Sequence, residues 1–429
     1  MHELSKMIKD DMKPALGVTE PGAIAFAVAK ARSFTKGDIK KVNVAMNSGM
    51  YKNAFTCGIP NSNEVGNIFA AALGVVAGNA DKGLESLADV TPEDNVKAQE
   101  MIDQGKITVE LSGITSRIFI EATVETEEDK AIVTIRDSHT NITKIIVNDK
   151  VELETEDEKK TEEDGGEEES HFIHKYTLQQ LYDYVTTVDI EEIRFINEAY
   201  KVNLELFHEG LENPRTTFAR QLLAINNGKE VSDDEQKTAS LMCNAAIEAR
   251  VIGLDKPAMS ITGSGAHGII ATMPLYAAYK VNGYTEEQLL RATALSYLVC
   301  MYIKEYSGRL SAFCGCAIAA GSGMACALVY LRGGTVEMMA HTLNNMASSI
   351  TGMICDGGNQ GCTMKGVAAV DAAYKSVEFA MNGIYISEVH GINGNTPEET
   401  MRNMGLIASP GMVGTEKTIV EIFEDKLKK

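Results

Sequence analysis

The pattern of hydrophobic and polar positions divides the chain into two kinds of sequence. Between residues 41 and 147, apolar residues alternate with polar ones in short runs, which is the period of a strand with one buried face. The later runs follow one another at intervals of about a dozen residues, and this spacing favours an antiparallel meander. The predicted strands lie at 41–46, 107–111, 118–124, 131–135 and 143–147.

Helical spacing dominates the rest of the chain. Residues 3–33 predict helices interrupted at 14–22 by Pro and Gly, and the helical pattern resumes at 176 and continues to the end. Several late helices, such as 311–331, are apolar on all sides, which is typical of helices inside a bundle. We therefore expect an α+β fold, with a large all-α domain and a smaller α/β domain that contains an antiparallel sheet.

These patterns predict four segments. N-terminal helices at 1–36 pack on the helical domain, a small α/β domain spans 37–151, and the all-α domain spans 174–429. Residues 152–173 separate the two domains, and from 152 to 169 the chain has eleven Asp and Glu against two Lys. Such a charge run is typical of a solvated flexible loop, which we favour over an interaction tail.

Charge and composition exclude several classes of protein. The 60 acidic and 40 basic residues give a net charge of −20, which argues against binding to nucleic acid or to an anionic membrane. The first twelve residues lack the apolar stretch of a signal peptide, so we expect a cytoplasmic protein. Residues 310–331 are uncharged and long enough to span a bilayer, but their many small residues favour a buried helix.

Cysteines provide the strongest chemical pattern. A reducing cytoplasm makes a disulfide framework from the eight Cys unlikely to form. Cys314 and Cys316 flank one Gly, while Cys355 and Cys362 flank a Gly-rich stretch at an expected helix terminus. Three thiolates from two such loops can hold an iron–sulfur cluster and leave one iron open. Spacing alone leaves a second interpretation open, in which these Cys are small buried apolar residues.

A glycine-rich stretch at 260–268 is the second candidate site. Its N–H groups and hydroxyls, with Ser264 and Gly265 at the centre, are suited to clamping a carboxylate. We find no strand-then-helix context around it, which disfavours a phosphate site. His267 is either a structural residue or an acid, base or substrate contact.

Other loops contribute weaker candidates. Thr19 and Glu20 follow a break in the first helical region, and ordinary helix caps are the favoured interpretation for both. Asn47, Ser48 and Asn61 lie in loops at the ends of the first strand region, where they are turn residues and possible walls of a site.

Four stretches together resemble a known family. Residues 262–268, 314–320, 355–362 and 403–412 resemble the alpha-chain superfamily of iron–sulfur-dependent L-serine dehydratases, and most closely the branch that includes L-cysteine desulfidase. The resemblance implies a [4Fe–4S] cluster on three Cys, without pyridoxal phosphate. It also implies a lyase that removes H₂S or H₂O from a small L-amino acid, cysteine or serine, to give pyruvate and ammonia. A homodimer is expected.

The resemblance also implies roles for individual residues. Cys355 and Cys362 match two cluster ligands, and Cys316 is preferred as the first because Cys-Ala-Ile-Ala-Ala fits the dehydratase pattern Cys-x-x-Ala-Ala; Cys314 is the alternate. The desulfidase pattern Leu-Gly-Cys-Thr-Glu-Pro places its α-proton base where this chain has Val18. His267 is then the candidate base and Glu20 the reserve, with Thr19 beside it. The alternative function is a cluster- or thiol-based sensor without turnover.

Overall fold

The computed structural model describes residues 1–155, 172–308 and 310–428. Most of the predicted acidic loop therefore lies outside the described residues. The described part forms an α+β fold, as expected, with a six-stranded sheet, a two-stranded sheet and a large helical assembly. The strands are β1 Lys13–Leu16, β2 Ile39–Asn47, β3 Ile107–Gly113, β4 Phe119–Thr126, β5 Lys130–Arg136, β6 Ile142–Val147, β7 Lys150–Glu154 and β8 Pro257–Ser260.

Helices make up most of the remainder. Those before the acidic segment are α1 Glu3–Asp11, α2 Thr19–Arg32, α3 Ser48–Ala54, α4 Asn67–Ala77 and α5 Pro92–Asp103. Those after it are α6 Leu178–Thr187, α7 Ile190–Ile193, α8 Asn197–Glu212, α9 Phe218–Ile225, α10 Glu235–Val251, α11 Gly265–Asn282, α12 Glu286–Ser307, α13 Gly321–Leu331, α14 Val336–Ile350, α15 Gly361–Met381, α16 Pro397–Leu406 and α17 Val413–Leu427.

The larger sheet has the order β3-β2-β4-β5-β6-β7. The predicted strands are all present, and β4 to β7 form the expected antiparallel meander. The antiparallel prediction is wrong for β3, which pairs in parallel with β2 at the sheet edge. Helices α3, α4 and α5 connect these two strands, and a connection of that length is what allows two successive strands to run in parallel.

The N-terminal helices divide between the two parts of the fold. Helix α1 packs against α12, as predicted, whereas α2 packs against α4 and against the sheet at β4 and β5. The break between them is a strand: β1 pairs antiparallel with β8, from Lys13 opposite Ser260 to Leu16 opposite Pro257. This pairing joins the start of α2 to the start of α11. The four-segment division itself remains a prediction.

The uncharged stretch 310–331 is not one continuous helix. Phe313 lies in an isolated antiparallel bridge with Ile354, and a π-helical turn at Cys316–Ala320 leads into α13. In the described ranges, no helix combines the length and the apolar character needed to cross a membrane.

Candidate active site

Two cysteine-bearing loops are joined through their backbones. The N–H of Cys314 donates to the carbonyl of Met353 at 3.0 Å, and the N–H of Cys355 donates to the carbonyl of Ala312 at 2.6 Å. Because Phe313 pairs with Ile354, this bridge places the two Cys in diagonal positions of the two loops, although about forty residues separate them in sequence. Cys362 lies in the first turn of α15, and its thiol donates to the carbonyl of Gly357 at 3.4 Å.

Burial keeps these thiols neutral. It raises the pKa of Cys362 to about 12 and also raises the pKa of Cys355. The pKa of Cys314 is raised well above its ordinary range by its hydrogen bond to Cys316 and then by burial. A backbone N–H group opposes the shift at each sulfur: those of Ala317, Gly357 and Asn359 act on Cys314, Cys355 and Cys362.

Two lysines lie beside the thiols. Burial lowers the pKa of Lys365, but its pairing with Asp356 and the nearby sulfurs of Cys362, Cys355 and Cys314 raise it on balance. Lys365 therefore lies near all three sulfurs. The other lysine, Lys52, also lies close enough to Cys355 for that thiol to raise its pKa.

Lys52 connects four parts of the fold. Its side chain has no exposed surface, and its Nζ donates to the carbonyls of Ser311 at 3.0 Å and Cys355 at 2.9 Å. The same Nζ forms an ion pair with Glu416 of α17 at 2.8 Å. Lys52 therefore fixes both cysteine loops to α3 and α17.

Cys316 faces a different set of sulfurs. It interacts with Cys314, but also with Cys243 of α10 and Cys300 of α12. Cys314, the alternate, thus lies near Lys365 together with Cys355 and Cys362, and the preferred Cys316 lies near Cys314, Cys243 and Cys300.

His267 contacts the Cys314–Cys316 loop directly. A Cβ atom built on Gly315 would lie 2.7 Å from Nε2 of His267, so the ring is in contact with that glycine. On the other side of the ring, Nδ1 forms a hydrogen bond with the hydroxyl of Thr262. Burial, followed by the charges of Lys304 and Arg250, lowers the pKa of His267 to about 3, so the imidazole is neutral at neutral pH.

The Gly-rich stretch does have the strand-then-helix context that the sequence failed to indicate. Strand β8 ends at Ser260, Thr262 and Gly263 turn the chain with φ of 51° and 77°, and α11 begins at Gly265. Strand β8 has only four residues and exists through its pairing with the distant β1, so no local periodicity could reveal it. His267 accordingly lies on a helix, not in a loop.

Glu20 reaches the same region from α2. The helix is capped at Val18 without a side-chain hydrogen bond, so the prediction that Thr19 and Glu20 act as caps is wrong. The hydroxyl of Thr19 donates instead to the carbonyl of Gly263 at 3.3 Å. The Oε1 atom of Glu20 accepts from Asn53 at 2.9 Å.

The Glu20 carboxylate is ionised. Burial by itself raises the pKa of Glu20, but His139, whose Nε2 lies 3.7 Å from Oε1, together with Asn53 and Arg250, lowers it to about 2. An ionised carboxylate that is 6% exposed requires such neighbours, because an isolated buried charge is costly.

Val18 occupies the position where the desulfidase branch has Cys. It is 2% exposed, and a Cβ atom on Gly358 would lie 2.6 Å from its Cγ1. Its side chain therefore contacts the loop between Cys355 and Cys362. Val18 is at the site, but it has no atom that can accept a proton.

Three predicted substrate contacts are engaged elsewhere. The amide of Asn47 bonds to the carbonyl of Thr115 at 2.8 Å and to the N–H of Phe119 at 3.1 Å, and Ser48 also bonds to Thr115. The amide nitrogen of Asn61 donates to two carbonyls of the 87–88 turn and lines a separate cleft. These side chains hold loops in place.

A cavity of about 700 Å³ reaches the site from the side of α12. Its lining includes Thr262 and Lys304, both of which neighbour His267, together with Asp11 and Asp137. It lies between the sheet, α1 and α12, and Thr262, the hydrogen-bond partner of His267, is part of its wall. A small amino acid fits within that volume.

Comparison with known proteins places the chain in a family. The family described as serine dehydratase alpha chain matches residues 81–421, which is most of the chain. The chain belongs to this family. The resemblance inferred from the motifs is thereby confirmed at the level of the family.

Relatives that align over nearly the whole chain are named UPF0597 proteins. A UPF0597 protein of Clostridium botulinum (strain Hall) is 41% identical over 98% of both chains. UPF0597 proteins of Caldanaerobacter subterraneus and Bacteroides fragilis are 36% and 34% identical over 99% of this chain and 98% of theirs. A lyase-type role at the level of the family follows, whereas these names state no substrate.

The serine dehydratase family implies an iron–sulfur cluster, and the donor chemistry here suits one. Cys314, Cys355 and Cys362 supply three sulfurs, each with a backbone N–H donor, and Lys52 and Lys365 supply positive charge that favours thiolates. Across 1–155, 172–308 and 310–428, however, no three His, Cys, Asp or Glu side chains are already arranged around one metal position. Ligation requires the Cys362 thiol to release its hydrogen bond to the backbone.

Sequence reasoning missed five residues of the site. Each of them lies next to a predicted residue in space; they are Lys52, Asn53, His139, Arg250 and Lys365. A usable clue existed for Lys365 alone, since it lies three residues after Cys362 and hence on the same helix face. His139 lies in the turn between β5 and β6, and nothing local in the sequence relates it to Glu20.

Proposed function

We propose that the protein is a [4Fe–4S]-dependent lyase that eliminates H₂S or H₂O from a small L-amino acid, cysteine or serine. The observation that supports the proposal is that Cys314, Cys355 and Cys362 all lie near Lys365, while His267 contacts Gly315, the neighbour of Cys314. Membership in the serine dehydratase alpha-chain family supports the reaction class.

Cys314, Cys355 and Cys362 would hold the cluster, with Lys52 and Lys365 balancing the charge of three thiolates. When bound, the cluster supplies an open iron that acts as a Lewis acid toward the leaving group of the substrate. Val18 is buried and presents an apolar surface beside the 355–362 loop.

The elimination breaks the Cα–H bond and the bond from Cβ to sulfur or oxygen, and forms a Cα–Cβ double bond. His267 accepts the α-proton at Nε2, since its Nδ1 is held by Thr262 and the ring is neutral. The enamine that leaves tautomerises to an imine, which water hydrolyses to pyruvate and ammonia. Glu20 is the reserve base, because its Oε1 atom is already engaged by Asn53.

The test is an anaerobic assay of the cluster-reconstituted protein. L-cysteine and L-serine are supplied separately, and sulfide, ammonia and pyruvate are followed. We expect pyruvate and ammonia in equal amounts from at least one substrate. An intact cluster with no pyruvate from either amino acid would refute the proposal.

Cysteine variants test the ligand assignment in the same sample. Cys314→Ala, Cys355→Ala and Cys362→Ala should each abolish the absorption at roughly 400 nm of a thiolate-held cluster, whereas Cys316→Ala should retain it. Loss of the band in Cys316→Ala with its retention in Cys314→Ala would instead make Cys316 the first ligand.

A sensor without turnover is the second candidate. The observation in its favour is Val18, which leaves the position of the desulfidase base without an ionisable group. A sensor would show a reversible redox change of the cluster and no product, and steady pyruvate release would exclude it.

A further inference from the structure

Arg250 is a buried arginine without a protein partner. It lies in the last turn of α10 and is 4% exposed, and its side chain forms no hydrogen bond or ion pair with any residue in the described ranges. Its Nε atom is fully buried and has no acceptor. A guanidinium carries five N–H donors and cannot lose its charge in a protein, so leaving it buried and unbonded is costly. The arrangement therefore points to an acceptor that enters from outside the chain.

The first turn of α11 lies directly against this guanidinium. A Cβ atom on Gly265 would lie 2.7 Å from Nε and 3.2 Å from Cδ of Arg250. Ser264, at the N-cap position, makes no side-chain hydrogen bond to the helix, so no side chain occupies the end of this 18-residue helix. Free N–H groups at a helix N-terminus bind anions, and here they meet an unpartnered buried cation.

Glu20 supplies the opposite charge next to this pair. The start of α2 is held to the turn before α11 by the hydrogen bond from Thr19 to Gly263. The Oε1 atom of Glu20 is bonded to Asn53, while Oε2 has no hydrogen bond to any described residue. Arg250 and Glu20 are close enough for the guanidinium to favour the ionised carboxylate, yet they form no ion pair. Each charge is thus left with bonding capacity for a ligand.

We propose that Arg250 and the first turn of α11 bind the α-carboxylate of an amino acid, and that Glu20 binds its α-ammonium group. This inference rests on the proposed function and locates its substrate. A zwitterion satisfies both unpaired charges at once, which neither a simple carboxylate nor a simple amine can do. Gly265 is required because any side chain there would occupy the position of the guanidinium.

Binding is measured without turnover, on the cluster-free protein under reducing conditions. The probes are L-alanine, which has no leaving group on its β-carbon, L-alaninamide, which lacks the carboxylate, and propionate, which lacks the ammonium. Isothermal titration calorimetry gives their dissociation constants. We expect L-alanine to bind at least about 30-fold more tightly than either analogue, since each lost partner leaves a buried charge unpaired.

Variants assign each preference to its residue. Arg250→Met should remove the preference for L-alanine over L-alaninamide, Arg250→Lys should keep part of it, and Glu20→Gln should remove the preference over propionate. Gly265→Ala should weaken the binding of L-alanine and propionate, the two probes that carry a carboxylate, and leave that of L-alaninamide unchanged. The matched control is Arg291→Met, because the guanidinium of Arg291 is also largely buried but is bonded to the carbonyls of Val185 and Val188 and to Glu287.

Thermal stability separates this role from a structural one. Because Arg250 has no partner in the protein, Arg250→Met should leave the melting temperature of the ligand-free protein within about 2 °C of wild type or raise it. Arg291→Met loses three bonds and should lower the melting temperature while keeping the L-alanine preference. A structural Arg250 would instead produce a large loss of stability.

Three results would overturn the inference: no binding of L-alanine, equal binding of L-alanine and L-alaninamide to wild type, or an unchanged preference in Arg250→Met. Its failure is separable from that of the proposed function. Selective L-alanine binding that depends on Arg250, without pyruvate release from cysteine or serine, would refute the lyase and leave the amino-acid site standing.

Discussion

The buried ion pair between Lys52 and Glu416 is the interaction whose loss should disturb the protein most. The ammonium of Lys52 has no exposed surface, and it bonds to Glu416 and to the carbonyls of Ser311 and Cys355. Lys52→Met removes all three bonds and leaves the Glu416 carboxylate, which is 7% exposed at its side chain, without its cation. The perturbation therefore creates one buried unpaired charge and two buried unpaired carbonyls.

The magnitude follows from the burial. Removing one partner of a buried, hydrogen-bonded pair costs about 3–5 kcal/mol of unfolding free energy, and Lys52→Met should fall in this range. Glu416→Leu alone should cost about 2–3 kcal/mol, since Lys52 retains two carbonyl acceptors. The double variant carries neither charge, so its loss should be at least about 2 kcal/mol smaller than the sum of the two single losses.

Urea denaturation of the metal-free, reduced protein at pH 7, followed by circular dichroism, measures these differences. Lys82→Met is the control, because its pair with Asp89 is exposed on both sides and should contribute less than about 1 kcal/mol. The reasoning is refuted if Lys52→Met is as mild as Lys82→Met. Strict additivity of the two single variants would refute it equally, since it would mean that the two charges do not interact.

Three further predictions concern the site. Val18→Cys should keep the fold, because the Val18 side chain is buried and the Cys side chain is smaller. The variant should raise sulfide release from L-cysteine at least about tenfold, because the thiol supplies a proton acceptor beside the 355–362 loop. An unchanged rate with an intact cluster would contradict this prediction. Burial lowers the pKa of His267 to about 3 from an ordinary value of about 6.5, so between these pH values the unfolded chain binds a proton that the folded protein does not. The stability that neutral His267 contributes is therefore complete above about pH 6.5 and is lost as the pH falls toward 3. Between pH 7 and pH 5 His267→Asn should therefore lose about 2 kcal/mol less unfolding free energy than wild type in urea titrations, and equal losses would show that His267 is accessible to protons. Gly315→Ala should lower turnover at least about tenfold, because the new methyl group would lie 2.7 Å from Nε2 of His267. The control Gly352→Ala should leave turnover unchanged, because no atom lies within 4 Å of its new methyl group. Similar rates in the two variants would exclude the predicted contact.

Local patterns predicted most of the secondary structure. The region after residue 176 is mostly helical in the structure, as predicted, and the strands β2 to β6 fall on the alternating runs. In these elements the buried residues recur with the period of a helix or a strand, so the pattern is visible in consecutive residues. Strands β1 and β8 were missed because each has four residues and is stabilised only by pairing with the other, across more than two hundred positions.

The candidate site was predictable in part. The sequence identified Cys314, Cys355, Cys362, His267 and Glu20, each of which lies at the site. It preferred Cys316 to Cys314 on the pattern Cys-x-x-Ala-Ala alone, and that ranking stays a prediction.

By itself the sequence determined the α+β composition, the strand and helix positions, the thiol inventory and the membership in the family. Only the tertiary structure decided which thiols share one environment, that Lys52 fixes both cysteine loops, and that Arg250 lies unpartnered against the start of α11. The reason is physical. Periodicity shows which face of an element is buried, whereas a site depends on which buried faces contact one another. These contacts are set by pairings between distant parts of the chain, such as β1 with β8 and Phe313 with Ile354.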